Sequence, residues 1–199
     1  MEKTKIYIYG ASGHGKVVCD VAKSAGYKEI VFLDDKGELK FSPDLPKFPV
    51  IIAIGDNKIR ANLQKKVSEA GFEIATLIHE TSVISPTAKI GRGVVIMPNV
   101  VVNADAIIGD GVILNSACVI EHDCVIGEFT HISPNSALAG GVEVGEFSHI
   151  GLGSSVIQKV KIGKNCVIGA GSAVIKDIDE NCVAVGVPAK VIKKLILKC

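Results

Sequence analysis

The chain has 199 residues, with 22 Lys and Arg against 21 Asp and Glu and a formal net charge of +1. The charges are scattered, which argues against a nucleic-acid binder or a cationic membrane-surface protein. No window approaches a bilayer span and no basic segment precedes an apolar run at the start, so a cytoplasmic protein without nucleic-acid or membrane partners is expected.

The first eighty residues alternate strands and helices. Lys5–Tyr9 reads as a buried strand, followed by the turn Gly10-Ala11-Ser12-Gly13-His14-Gly15. Val17, Val18, Val21, Ala22 and Ala25 mark one face of a helix that ends near Gly26. Ile30–Leu33 is a second strand ending at Asp34-Asp35, and Lys36–Lys47, with two prolines, is a surface loop. Val50–Ile54 is a third strand ending at Gly55. Ile59, Leu63, Val67 and Ala70 then give a second helix, and Ile74–Ile78 a fourth strand. This order predicts a small parallel, Rossmann-like α/β domain over residues 1–79.

From Ile84 to Val174 every sixth residue is Ile, Leu or Val, sixteen positions without a slip. A period of six fits neither an amphipathic helix nor an alternating strand. It predicts an all-β hexapeptide β-helix, a solenoid with three flat sides, over residues 80–180. Eighteen residues per coil gives about five coils. Cys118, Cys124 and Cys166 fall on the fifth position of the repeat and should point inward as small apolar residues. No CxxC pair occurs among the six cysteines, which fits a reducing compartment. Residues 181–199 should cap the last coil, with Gly186-Val187-Pro188-Ala189-Lys190 as a turn. Val191, Ile192, Leu195 and Ile196 are spaced for a short amphipathic helix.

Two places carry chemistry. The glycine-rich turn lies between a strand and a helix, where backbone amides favour a phosphate. Its spacing is G-x-x-G-x-G, and Asp34 and Asp35 lie about twenty residues on, placed for ribose or base groups. Nothing downstream resembles a dehydrogenase, so a nucleotide-linked sugar competes well with a dinucleotide; a tight turn without a ligand is the plain structural reading. The second place is the set of histidines on the solenoid. His122 sits at an outward position beside Asp123, which suits a general base but also a solvated surface ring. His131 and His149 are one coil apart and should stack on one edge. Such a pair could ligate zinc in a solenoid hydratase, but the spacing supplies no full ligand set, so no metal is expected. His79 lies at the domain junction, where a structural role is expected.

Together, Ile6–Gly15, Phe32-Leu33-Asp34-Asp35, Ala53-Ile54-Gly55, Val119-Ile120-Glu121-His122 and Gly186–Lys190 resemble bacterial sugar acyltransferases that join a nucleotide-sugar-binding α/β domain to a left-handed β-helix. Among these, the pattern resembles the PglD-type UDP-4-amino-sugar N-acetyltransferases of the bacillosamine pathway. The resemblance implies a homotrimer with acetyl-CoA between adjacent solenoids. It makes His122 the general base and Asp123 its partner, where the PglD-type enzyme carries Glu. It places the Gly140 N–H against the thioester oxygen, His131 near the thioester, and the amides of Leu152 and Ala170 along the pantetheine arm. Ser12, Gly13, His14, Asp34, Asp35 and Gly55 would bind a UDP-amino sugar. Lys176, Lys190 and Lys193 are loosely placed for the CoA phosphates. The implied reaction is acetyl transfer to the 4-amino group of a UDP-linked 4-amino-4,6-dideoxy sugar. A sugar O-acetyltransferase of sialic acid type shares the fold and much of the pattern.

Overall fold

The computed structural model describes residues 4–195. Strand β1 (Lys5–Tyr9) is the centre of a three-stranded parallel sheet, between β2 (Glu29–Leu33) and β3 (Val50–Ile52). Ile6 to Tyr9 are all buried, so the strand is a continuous apolar run, as expected of a strand covered on both faces. Helix α1 (Gly13–Ser24) follows β1 and buries Val18, Val21 and Ala22. Helix α2 (Asn57–Glu69) follows β3 and is capped by Asp56, whose side chain accepts the Ile59 N–H at 2.9 Å.

Two sequence expectations are corrected in this domain. The fourth strand does not join the sheet as one piece: Ile74 makes an isolated bridge to Val50, while Leu77–Ile78 pairs with Val95–Ile96. Leu77–Ile78 is thus the first rung of the solenoid, and Ile78 is one further step of the sixfold ladder. The buried positions of α2 are Arg60, Gln64 and Val67, whereas Ile59 is 52% exposed. The helix lies between its own sheet and the solenoid, and the periodicity of its apolar residues reports only the first of these neighbours.

The solenoid has three parallel faces. The first runs Leu77–Ile78, Val95–Ile96, Ile113–Leu114, His131–Ile132, His149–Ile150, Val167–Ile168 and then Cys182–Gly186. The second runs from Val83–Ile84 to Ala173–Val174, and the third from Lys89–Ile90 to Lys161–Ile162. With six two-residue rungs on each of the first two faces and five on the third, the solenoid makes about six turns rather than five. The ladder residues fill the interior together with Cys118, Cys124, Cys166 and Cys182, all free thiols. Interior hydroxyls are satisfied by turn carbonyls: Thr130 donates to Gly145, Ser136 to Gly151, Ser148 to Gly163 and Ser154 to Gly169. At the corners, from Ile90 to Ile168, the third residue after each ladder position is left-handed, and Asn, Asp or Gly fills most of these sites.

The α/β domain rests on the first face. Its core residues Ile6, Ile8, Val18, Ile51 and Ala53 share one apolar cluster with Leu77, Val95, Met97 and Ile113. Leu77, Val95 and Ile113 are outward-pointing residues one coil apart, and all three are buried under the α/β domain. At the far end, the expected terminal helix is instead a strand. Ala189–Lys194 pairs antiparallel with Cys182–Gly186 to close the last coil as a hairpin. Ile196 lies outside the described residues.

Candidate active site

His122 stands in the corner between the second and third faces, after Val119–Ile120. Its Nδ1 pairs with Asp123 Oδ2 at 2.8 Å, and both side chains are exposed. Asp123 is one of the left-handed corner residues, with φ 61°. That backbone state is tolerable for Asp and turns its carboxylate back onto the preceding ring. The hydrogen bond to Asp123, supported by the charges of Asp123 and Glu121, raises the His122 pKa above its ordinary 6.5. Gly140 lies one coil on, and a Cβ there would sit 2.5 Å from His122 Nε2. The ring therefore lies over bare backbone. Gly141 N–H is engaged by His122 O, whereas Gly140 N–H meets no backbone acceptor among the described residues. The site presents a ring nitrogen of raised basicity next to a free amide donor.

The glycine turn occupies the other candidate site. The strand order β2-β1-β3 reverses direction between β1 and β3, and ligands of open α/β sheets sit at such a switch point, beyond the carboxyl ends of the strands. The loops that flank it are Gly10–Gly15 and Ile54–Gly55. Gly10 and Gly15 are demanded by packing, since a Cβ on Gly10 would lie 2.7 Å from Ala53 O and one on Gly15 would run into Gly10 O. Gly13 and Gly55 have nothing within 4 Å of that position and face open space. Ser12 caps α1 in an extended conformation while its hydroxyl makes no cap hydrogen bond. Asp34 accepts from the N–H groups of Lys36 at 2.8 Å and Ala11 at 3.3 Å. These bonds hold its carboxyl below the usual range and tie β2 to the turn. Asp35 accepts from the Tyr9 hydroxyl at 2.6 Å.

A buried polar cluster joins the two domains beside this crevice. The rings of His131 and His149 stack at 4.8 Å, as their one-coil spacing predicts. Asn115 donates to His131 Nε2 at 3.1 Å, and Ser133 pairs with His149 Nε2 at 2.8 Å. Burial, followed by the influence of His149, Arg60 and His14, pushes the His131 pKa down to about 3. His149 and His14 are lowered too, by burial and then by Arg60. His14 Nε2 is buried and has no hydrogen-bond partner among the described residues. Arg60 and Asn57, which tie α2 to the solenoid, escaped the sequence reading, because helical spacing identifies an apolar face and not a buried polar one. His79 pairs with Thr81 at the junction. Among the described residues no group of three or more His, Cys, Asp or Glu is gathered as a metal site.

The two candidate sites do not meet within one chain. The α/β domain covers the first face, and the His122 corner lies between the other two. In a three-sided solenoid that corner is the edge opposite the covered face. Leu152 and Ala170 lie one coil apart on another edge, between the first and second faces, and both are exposed.

Comparisons with known proteins fit this division. The PglD N-terminal domain matches residues 5–67, and the bacterial transferase hexapeptide (six repeats) matches residues 87–122. The structure of PerB from Caulobacter crescentus, in complex with CoA and GDP-perosamine, is 37% identical, with 95% of this chain and 97% of that one covered at a TM-score of 0.91. The chain belongs to the PglD-type sugar N-acetyltransferases. The acetyltransferase domain of PglB from Neisseria gonorrhoeae is similar to this PglD-type chain over 94% of its length and 99% of the domain, at 36% identity and a TM-score of 0.89. UDP-N-acetylbacillosamine N-acetyltransferase of Bacillus subtilis is 36% identical over 109 residues, which is 46% of this chain and 50% of that relative. In that match the chain spans about half the length of its curated relative.

Proposed function

We propose that the protein is a cytoplasmic acetyltransferase that moves the acetyl group of acetyl-CoA onto the 4-amino group of a UDP-linked 4-amino-4,6-dideoxy sugar. It acts as a homotrimer in which the His122 edge of one copy serves the sugar held by the α/β domain of another. The observation that carries this reading is the His122–Asp123 pair lying over Gly140, on the edge opposite its own sugar domain.

In this mechanism the amine lone pair attacks the thioester carbonyl. His122 Nε2 takes the amine proton as the C–N bond forms, and Asp123 stabilises the imidazolium. The Gly140 N–H donates to the oxyanion. Collapse breaks the C–S bond, and the imidazolium returns the proton to the CoA sulfur. The backbone amides of Leu152 and Ala170 follow the pantetheine arm, with His131 near the thioester. Ser12, Gly13, His14, Asp34, Asp35 and Gly55 hold the nucleotide-linked sugar at the switch point. Two relatives support a nucleotide-linked amino sugar as acceptor: PerB is in complex with CoA and GDP-perosamine, and the Bacillus subtilis relative is a UDP-N-acetylbacillosamine N-acetyltransferase. The test is acetyl transfer from acetyl-CoA to UDP-, dTDP- and GDP-linked 4-amino sugars, with the matching hydroxyl sugars as controls. Acetylation of the UDP-linked amine is expected; transfer to the hydroxyl alone would replace this reading with an O-acetyltransferase.

A further inference from the structure

Arg60 is fully buried, yet among the described residues no carboxylate hydrogen-bonds to it. Its Nε donates to Gly111 O at 2.7 Å, Nη1 to Ile54 O at 3.0 Å and Gly55 O at 3.2 Å, and Nη2 to Asn57 Oδ1 at 2.8 Å and Phe129 O at 2.9 Å. A guanidinium has five N–H donors, and here they meet five neutral oxygens. Two of those oxygens belong to the Ile54–Gly55 lip of the crevice, and two belong to successive corners of the solenoid. Asn57, which buttresses the guanidinium, donates in turn to Phe147 O and Ser148 O, both at 3.1 Å. One side chain thus pins a lip of the sugar crevice to the β-helix. Among the described residues no carboxylate pairs with it directly, although the charge of Asp56 acts on it, and it acts in turn on His14 in the opposite lip.

We propose that Arg60 is a positioning residue for the sugar substrate: it fixes the Ile54–Gly55 lip against the solenoid and places a buried cation, hydrogen-bonded only to neutral oxygens, behind the crevice, complementary to the diphosphate of a nucleotide-linked sugar. This rests on the crevice being the nucleotide-sugar site. Burial of a cation without an acidic partner is costly unless every donor is satisfied and an anion approaches. Both conditions are met in the complex proposed here.

The test compares Arg60→Lys, Arg60→Met and Asn57→Ala with the parent protein. Arg60→Met should raise the KM for the nucleotide-linked amino sugar by roughly ten- to a hundredfold, the effect of a binding lip displaced by a small distance. The KM for acetyl-CoA should stay within about twofold. Arg60→Lys keeps the charge and should recover part of the loss. If Arg60→Met does not fold, Arg60→Lys and Asn57→Ala carry the comparison. An unchanged sugar KM in folded variants, or equal rises in both KM values, would overturn the proposal. If the parent protein binds no nucleotide-linked sugar, the functional reading fails and the substrate role falls with it. Hydrogen exchange then isolates the lip: faster exchange over residues 54–57 in Arg60→Lys keeps the anchor, and unchanged exchange removes it.

Discussion

His122 lies over Gly140 so closely that a Cβ at Gly140 would stand 2.5 Å from the ring nitrogen that faces away from Asp123. Gly140 is outside the left-handed region, so alanine fits its backbone and the methyl acts only by displacing the ring. Gly140→Ala should therefore lower kcat by about a hundredfold, the effect of a small misplacement of a reacting group. Thermal unfolding should shift little. A normal kcat would separate the ring position from the chemistry.

Removing the proposed base itself should be more severe. His122→Ala is expected to lose about 10²–10⁴ in kcat while calorimetry still shows acetyl-CoA binding. The sign of the pH effect follows from the raised pKa. A general base works when neutral, so activity rises with pH through the His122 pKa, which Asp123 holds above 6.5. In Asp123→Asn the acid limb of kcat/KM should move to lower pH and the plateau should fall, because the imidazolium loses its partner. A limb that stays in place would assign the titration to another group.

In the proposed complex Asp34 serves both the sugar and the turn. Its carboxylate holds the N–H groups of Ala11 and Lys36, so Asp34→Ala should raise the sugar KM through the loosened turn as well as through any lost ligand contact. The KM for acetyl-CoA should be unchanged. Equal changes in both would remove Asp34 from the sugar site.

The domain joint should make stability fall in acid. His131, His149 and His14 all have folded pKa values below the unfolded value near 6.5, with His131 at about 3. The unfolded chain therefore binds more protons below that pH. Stability is complete above about pH 6.5 and declines as pH drops, by about 1.4 kcal/mol per pH unit for each histidine that remains neutral in the fold. Melting temperatures measured from pH 8 to pH 4.5 should show this slope, and His131→Asn should flatten it.

The solenoid was legible because its interior is single file. Each ladder residue has one neighbour above and one below, so packing forces a period that no other fold shares. The phase of that ladder also placed His131 against His149 and Gly140 beneath His122. Legibility ended where the partner surface was not periodic. Ile78 belongs to the ladder but reads as part of an α/β strand, because the apolar run Ile74–Ile78 crosses the domain boundary. After Val174 the next sixth position is Glu180, so the ladder no longer reports that Cys182–Gly186 continues the first face. Without that partner strand in view, Val191 and Ile192 resemble the face of a helix. Arg60 was hidden for a related reason: its partners are carbonyl oxygens, which leave no mark in the sequence. Leu77, Val95 and Ile113 carry no distinguishing mark either, since Val83, Val101 and Val119 repeat the apolar outward pattern on the second face, with Val83 64% exposed.

The sharing of one site between two copies is tested most directly by mixing inactive variants. His122→Ala lacks the base and keeps the crevice. Gly13→Phe fills the open side of the crevice, where no neighbour lies within 4 Å of the added Cβ, and keeps the base. Each variant alone should be inactive in acetyl transfer. Unfolded separately and refolded together in equal amounts, they should recover about a quarter of the parent activity, the share of interfaces that pair an intact crevice with an intact histidine. No recovery from folded, mixed assemblies would contradict the account and return both halves of the site to a single chain.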